Sequence, residues 1–193
     1  MTDSAVRTST GKRERLIAAA RQVLHEQGAE ATTLADIAQS AGIPVGNLYY
    51  YFKTKNDIIA AVIDAHQQDI LGMLGAIEAA RADPRQRLKD LLATLAGQAD
   101  LVARYGCPHG SLCQELAKHA DKAGVLDVTR LVRLPIDWCE RQFALLGCPD
   151  ARDLAVQLIA AYQGSALLTN TLRDPSFLAG ESRRMAAWID SLG

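Results

Sequence analysis

The sequence predicts an all-α protein of about nine helices. Alanine and leucine are abundant and aromatic residues make up 5% of the chain, which favours helices over strands. Apolar residues recur at helical spacing in several stretches, whereas the sequence contains no alternating apolar–polar run typical of a strand and no internal repeat. Glycine and proline residues between the periodic stretches mark where these helices begin and end.

The first predicted helix runs from Lys12 to Glu26 and ends before Gly28. Its apolar residues fall on one helical face: Leu16, Ile17, Ala20, Val23 and Leu24. The polar residues before it, 1 to about 11, predict a flexible N-terminal arm. That arm is either a solvated tail or a basic segment whose Arg7, together with Lys12 and Arg13, reaches phosphates or a minor groove of DNA.

The next stretch predicts two short helices joined by a tight glycine turn. Thr33 is the expected N-cap of the first helix, and Asp36 nearly completes a capping box. Gly42 ends that helix because glycine adopts the left-handed conformation without strain. Pro44 suits the start of the second helix. Such a pair is a helix-turn-helix, whose second helix enters the major groove of DNA.

The second helix, from Val45 to Phe52, has an outward face that suits a DNA duplex. Leu48 faces inward, whereas the adjacent tyrosines at 49–51 cannot all be buried on one helix. Hydroxyls and cations suit phosphates, and an amide or a methyl group suits base edges. The alternative is that the aromatic run is only a packed helix end. The predicted DNA-binding residues are Thr33, Val45, Gly46, Asn47, Tyr49, Tyr50, Tyr51, Lys53 and Lys55.

The run from Leu48 to Lys55, placed after Ala41-Gly42-Ile43, resembles the TetR/AcrR family of bacterial transcriptional regulators. The resemblance covers about residues 13 to 60 and is more specific than a generic helix-turn-helix. It implies an N-terminal three-helix DNA-binding module and a larger C-terminal helical domain for ligand binding and dimerisation. Pro44-Val45 stands where the family often has a serine-rich helix start, so no operator preference is implied.

The predicted domains are a helix-turn-helix DNA-binding domain at 1–55, which includes the flexible arm, and a ligand-binding and dimerisation domain at 56–193. Residues 1–55 carry seven Lys/Arg and five Asp/Glu, against fourteen and seventeen in the remainder. This asymmetry has the sign expected for DNA binding but is small, so the prediction depends on the motif.

Further helices are predicted beyond the DNA-binding motif. Thr54 and Asp57 form a second capping pair, which opens a long helix to about Arg81. A later helix is expected to be kinked near Pro135. The remaining bounds are Asp83 to Gly106, a short helix from Ser111, Gly124 to Leu146, Asp150 or Asp153 to Leu172, and Glu181 to Leu192.

The last two helices are the predicted dimer interface. A dimer places two recognition helices about a symmetry axis, where they read a palindromic site. The resemblance implies that the last two helices of each chain pair with those of a second copy as a four-helix bundle. The alternative is ordinary packing within one chain. The predicted interface residues are Leu154, Leu158, Ala161, Ser165, Leu168, Met185, Trp188 and Leu192.

The resemblance also implies that the middle helices enclose a cavity for a small-molecule inducer, whose identity the sequence does not reveal. The alternative is that the same residues are plain core. The candidate ligand-binding residues are Leu91, Leu95, Cys107, Leu112, Cys113, Leu116, Trp138, Gln142 and Tyr162.

Three interpretations of Cys107 and Cys113 remain open. They are buried thiols, or reactive thiols that sense oxidants or electrophiles, or ligands of a metal site with His109 and His119. The spacing is not a recognised zinc pattern, so neither a metal nor a cofactor is predicted. Cys139 and Cys148 are expected to be structural.

The predicted function is a homodimeric repressor that binds palindromic double-stranded operator DNA and is released by the inducer. The alternative is a repressor that senses oxidants or electrophiles through its thiols. An enzyme is disfavoured because no Ser/His/Asp order, nucleotide loop or carboxylate pair stands out. The chain lacks a signal peptide and any run near the roughly 18 apolar residues of a membrane span, which predicts a cytoplasmic protein without a membrane partner.

Overall fold

The computed structural model describes residues 3–118 and 127–192. Within these residues the chain is helical and contains no strand, which confirms the predicted fold class. The ten helices in these ranges are α1 Asp3–Gln27, α2 Leu34–Ser40, α3 Val45–Tyr51, α4 Lys55–Ala80, α5 Pro84–Ala96, α6 Ala99–Tyr105, α7 Pro108–Ala117, α8 Arg130–Leu145, α9 Ala151–Leu172 and α10 Ser176–Ser191.

Two predicted helix bounds near the start of the chain and in its middle are corrected. Residues 3–11, predicted as a disordered arm, are part of α1; each residue added to a helix forms another backbone hydrogen bond, and no proline interrupts this stretch. The predicted helix from Asp83 to Gly106 is two helices, because Gly97 is a poor helix former and closes α5.

Two further helices begin earlier than predicted. Helix α7 begins at Pro108 and not at Ser111, and proline is suited to the first position of a helix. Helix α10 begins at Ser176, where the carboxylate of Asp174 accepts a hydrogen bond of 2.9 Å from the Ser176 amide. The predicted start of α8 at Gly124 lies outside the described residues.

The chain divides into two compact units, and neither is continuous in sequence. The N-terminal unit combines Met1–Gln67 with Ser111–Val128, and the C-terminal unit combines Gln68–Gly110 with Thr129–Gly193. These units do not follow the predicted division after residue 55, because α4 is one uninterrupted helix and most of α7 belongs to the N-terminal unit. The division of function at that residue stays a prediction.

The N-terminal unit has its own apolar core. Helix α2 packs against both α1 and α3. The side chains at the centre of this core are fully buried and come from all four of its first helices: Leu16, Ile37, Leu48, Ile58 and Val62. Burial of these aliphatic groups fixes the helix-turn-helix in one arrangement.

The C-terminal unit is centred on α9, which packs against α6, α8 and α10. Phe143 of α8 is fully buried, and its ring lies 5.8 Å from that of Trp188. Arg85 of α5 donates a 2.7 Å hydrogen bond to the Leu192 carbonyl and so closes the end of α10. None of the described helices is long and apolar enough to span a membrane.

Candidate nucleic-acid interface

The start of α2 is closed by a complete capping box. The Thr33 hydroxyl accepts a hydrogen bond from the Asp36 amide, and the Asp36 carboxylate accepts one of 2.8 Å from the Thr33 amide. This confirms the predicted N-cap. The Thr33 hydroxyl also donates to the same carboxylate and, together with the Thr33 amide, lowers the pKa of Asp36. The carboxylate therefore stays ionised at the positive end of the α2 dipole.

The turn between α2 and α3 has the conformation that its glycine permits. Gly42 adopts φ +62°, and its amide donates to the Gln39 carbonyl, while the amide of buried Ile43 donates to the Ala38 carbonyl. Arg15 of α1 adds a hydrogen bond of 2.7 Å to the Ala41 carbonyl. These three hydrogen bonds hold the turn and so fix the angle at which α3 leaves it.

Helix α3 presents a largely exposed outward face. Leu48 is fully buried, whereas Tyr49 is 48% and Tyr50 75% exposed. The Tyr50 and Tyr51 rings meet edge to face with centroids 5.1 Å apart, and Tyr51 is half-buried. The other predicted members of this face, Val45, Gly46 and Asn47, are exposed as well. We call residues 45–47 and 49–51 the tyrosine ridge.

The two predicted phosphate-binding lysines lie beside this ridge and already contact backbone carbonyls. The Lys53 ammonium donates a 2.7 Å hydrogen bond to the Tyr49 carbonyl, which satisfies the C-terminal end of α3. The Lys55 ammonium donates one of 3.0 Å to the Glu30 carbonyl in the loop between α1 and α2. Each ammonium has three N–H groups, so these bonds orient the lysines and leave donors for a phosphate.

The junction between α3 and α4 is also capped. The Asp57 carboxylate accepts hydrogen bonds from the amides of Thr54, at 2.8 Å, and Lys53, at 3.0 Å. The Thr54 hydroxyl accepts one in return from the Asp57 amide, which confirms the second predicted capping pair. These bonds, above all the one from the Thr54 amide, lower the pKa of the Asp57 carboxyl.

Two arginines of α1 that the predicted DNA-binding set omits belong to this region. Arg13 lies over the Phe52 ring, 5.4 Å from its centroid, and Arg15 holds the turn. Neither partner is close in sequence, so helical periodicity gave no signal for these contacts. Arg13 was predicted only as a DNA contact together with Arg7 and Lys12, and Arg15 was not predicted at all.

The candidate inducer-binding residues are divided between the two units. Leu112, Cys113 and Leu116 belong to the N-terminal unit, and the other candidates belong to the C-terminal unit. In the C-terminal unit, Trp138 and Gln142 are buried, and both donate hydrogen bonds to the Glu78 carboxylate, at 2.7 and 3.4 Å. Their polar groups are therefore satisfied within the chain.

Tyr162 lines a cavity of about 10 Å³, which is enough for roughly one water molecule. Its hydroxyl lies 3.5 Å from the Cys107 sulfur, and burial is the main cause of its raised pKa. Its role in ligand binding stays a prediction. Among the described residues, no cluster of three His, Cys, Asp or Glu side chains is arranged to hold a metal ion, whereas His119 of the possible metal site lies outside these residues.

The predicted dimer residues occupy two different faces of the C-terminal helices. Leu168 is 49% exposed, whereas Leu158 is 1% and Ser165 7% exposed. Leu158 and Ser165 pack within their own chain and offer almost no surface to a second copy, so their assignment to the interface is corrected. The others, Leu154, Ala161, Met185, Trp188 and Leu192, are half-buried.

Comparison with known proteins identifies the family. A family model described as bacterial regulatory proteins, tetR family, matches residues 16–62. An uncharacterized HTH-type transcriptional regulator in the lacX 3′ region of Lactococcus lactis subsp. lactis is 31% identical over 190 residues, which cover 94% of each chain. The HTH-type transcriptional regulator TtgR of Pseudomonas putida is 27% identical over 189 residues, which cover 93% of this chain and 88% of TtgR.

The fold is also that of solved regulators. A TetR-family transcriptional regulator from Agrobacterium tumefaciens matches with a TM-score of 0.83 at 20% identity, and the match covers 93% of this chain and 98% of that one. The helix-turn-helix geometry, the matched family model and the full-length relative agree. The chain therefore belongs to the TetR family of bacterial regulators, which bind DNA and regulate transcription.

Proposed function

We propose that the protein is a homodimeric repressor that binds a palindromic operator through residues 1–55 and leaves it when a small-molecule inducer binds. The tyrosine ridge is the observation that carries this proposal. Its phenol groups project from a short helix whose neighbours are fixed by two capping boxes and by Arg15. Exposed aromatic groups on a rigid support cost little entropy when they bind a partner, and the Lys53 and Lys55 ammonium groups supply charge for phosphates.

The exposed surface of α9 supports pairing with a second copy. Val156, Leu167, Leu168 and Leu172 are exposed apolar residues at helical spacing along this helix. Ala160 and Gly164 lie between them and are also exposed, which permits close approach of a partner helix. A stripe of this kind on a water-soluble helix favours a two-fold helix pair. We call these six residues the α9 stripe.

Footprinting on the intergenic DNA that flanks the gene tests this function. The expected result is protection of two half-sites related by two-fold symmetry, with centres about 10 base pairs or a multiple of that apart. Weakening of the complex as salt rises is also expected, because bound phosphates release counterions. The absence of protection on this DNA at low salt would contradict the proposal.

A thiol-based release mechanism is a second candidate, and the surroundings of Cys107 favour it. The buried Cys107 sulfur accepts contacts from the Gly110 amide at 3.4 Å, the Tyr162 hydroxyl at 3.5 Å and the Gln163 amide at 3.8 Å. Three hydrogen-bond donors, one from α7 and two from α9, therefore converge on this one sulfur. Cys113 differs, because its thiol donates a hydrogen bond to the Val128 carbonyl at 3.5 Å.

Alkylation tests the second candidate. In this reaction a thiolate sulfur attacks the activated double bond of N-ethylmaleimide and forms a C–S bond. The neighbouring carbon takes up a proton. Treated protein is expected to release DNA, and Cys107→Ser protein is expected to retain it. Cys139→Ser is the matched control, because burial raises the pKa of Cys139 to about 12 and so keeps that thiol protonated. Release that persists in Cys107→Ser protein would rule this mechanism out.

A further inference from the structure

A carboxylate from α7 occupies the loop between α1 and α2 in the N-terminal unit. Glu115 accepts hydrogen bonds from the consecutive amides of Ala29, at 2.5 Å, and Glu30, at 3.3 Å. Gly28 precedes them at φ +85°, and a Cβ atom there would lie 2.9 Å from a Glu115 oxygen. Consecutive amides that follow a left-handed residue form a concave anion-binding site, known as a nest. Glu115 therefore acts as a built-in anion in this nest.

The nest borders a cleft of about 630 Å³ that lies entirely within the N-terminal unit. Its lining includes the buried side chain of Ile59 and the half-buried side chain of Leu116, together with Ala29 and Lys55. The Lys55 ammonium donates a hydrogen bond from one of its three N–H groups to the Glu30 carbonyl. The cleft thus combines an apolar surface with an ammonium group and the two nest amides.

These features define the chemistry of a ligand. The nest amides donate hydrogen bonds and so select an anion or another strong acceptor. A single ion would fill only a small part of the cleft, whose volume is in the range of small-molecule sites. Ile59 and Leu116 offer apolar contact within reach of the same space. An anionic group with an apolar body satisfies all three conditions.

We infer that this cleft binds a small organic carboxylate, whose anionic group displaces Glu115 from the amides of Ala29 and Glu30 while its apolar body packs on Ile59 and Leu116. The site differs from the predicted inducer cavity, which shares only Leu116 with it. Displacement of Glu115 frees α7 from the loop that leads into the helix-turn-helix. The bound carboxylate also attracts the Lys55 ammonium and so draws it away from DNA phosphate. This consequence for DNA rests on the proposed function.

Fluorescence titration with 8-anilinonaphthalene-1-sulfonate tests the site directly, because this probe combines an anionic group with an apolar body. Glu115→Ala empties the nest and is expected to tighten the probe Kd about tenfold, the value of one charge-assisted hydrogen-bonding group. Glu115→Gln keeps the shape with a weaker acceptor and is expected to give a smaller gain. Glu26→Gln, on the exposed part of α1, is the matched control and is expected to change nothing.

A second pair of variants tests the apolar part of the cleft. Leu116→Glu places a negative charge beside the probe. Combined with Glu115→Ala, it is expected to abolish the tighter probe binding of the Glu115→Ala protein. Leu71→Glu makes the same change on the exposed surface of α4 and is expected to leave the probe Kd unchanged. Octanoate is expected to displace the probe from the wild-type protein. Equal probe affinity in wild type, Glu115→Ala and Leu116→Glu, or no displacement by octanoate, would overturn the inference.

DNA binding is measured separately on the same proteins. If the probe responses fail while footprinting succeeds, the cleft inference is wrong and the proposed function stands. If the probe responses appear as expected but no variant protects DNA, the ligand site stands and the proposed function is wrong. Thermal melting of each variant establishes that the variant is folded, and Glu115→Gln replaces Glu115→Ala if the latter does not fold.

Discussion

Two exposed tyrosines of the N-terminal unit and a buried tryptophan of the C-terminal unit have opposite environments. In the N-terminal unit Tyr49 and Tyr50 are exposed, whereas in the C-terminal unit Trp138 is 2% exposed and donates a hydrogen bond to Glu78. Large aromatic side chains contribute most when they leave water, so a buried one stabilises the fold and an exposed one is available to a partner. The contrast separates residues that the fold requires from residues that function requires.

The sharpest test of this contrast is a truncation in the C-terminal unit. Trp138→Ala is expected to lower the free energy of unfolding by about 3–5 kcal/mol, because it leaves a cavity and removes a hydrogen-bond donor from the half-buried Glu78 carboxylate. Chemical denaturation measures this change. Tyr50→Ala is the matched truncation and is expected to shift unfolding by at most about 0.5 kcal/mol. Equal losses in both proteins would remove the distinction between the two regions.

A charge in the α9 stripe tests the exposed apolar surface that we assign to a partner copy. Leu168→Glu is expected to weaken dimerisation about 100-fold, or roughly 3 kcal/mol, because a buried unpaired carboxylate is costly. Sedimentation of the protein over a range of concentrations measures the dimer Kd. Leu71→Glu, at a similarly exposed leucine of α4, is expected to sediment as wild type. A Leu168→Glu protein that remains dimeric would place the interface elsewhere.

Substitutions within the tyrosine ridge distinguish base contacts from phosphate contacts. Asn47→Ala is expected to change the preferred operator sequence at one position, by about 1–3 kcal/mol, since an amide recognises a base edge. Tyr50→Phe is expected to weaken all sequences alike by about 1 kcal/mol, because it removes one hydrogen bond to phosphate. Mobility shifts on a panel of operator variants separate the two outcomes. A uniform loss with Asn47→Ala would show that Asn47 does not contact a base.

The smallest expected effect concerns acid stability of the N-terminal unit. Thr33 lowers the pKa of Asp36 below the 3.8 of the unfolded chain. A carboxylate with a lowered folded-state pKa contributes stability above pH 3.8, and this contribution is lost as the pH falls through the folded-state value. Melting temperatures of wild type and Asp36→Asn are therefore expected to differ at pH 6 and to converge toward pH 3. A constant difference across this range would exclude the carboxylate charge as the cause.

Features that depend on neighbouring residues were predictable from the sequence. Thr33, Gly42 and Thr54 mark helix ends through interactions with residues two to four positions away, so their roles followed from local rules. The exposure of Tyr50 followed from helical geometry, since adjacent side chains point in different directions.

Features that depend on distant residues were not predictable in this way. Helix α9 has apolar residues around much of its circumference, and periodicity alone did not show that Leu158 faces its own chain while Leu167 faces outward. Glu115 lies more than eighty residues from its partners Ala29 and Glu30. A pattern of residues within one helix carries no information about such a contact.

The discontinuity of the N-terminal unit has a consequence for protein engineering. A graft of residues 1–67 onto another effector scaffold would leave α7 behind, and the amides of Ala29 and Glu30 would lose the acceptor that Glu115 supplies. A chimaera intended to keep the native N-terminal unit must therefore include both of its separated chain segments, or the host scaffold must supply an acidic residue in place of Glu115.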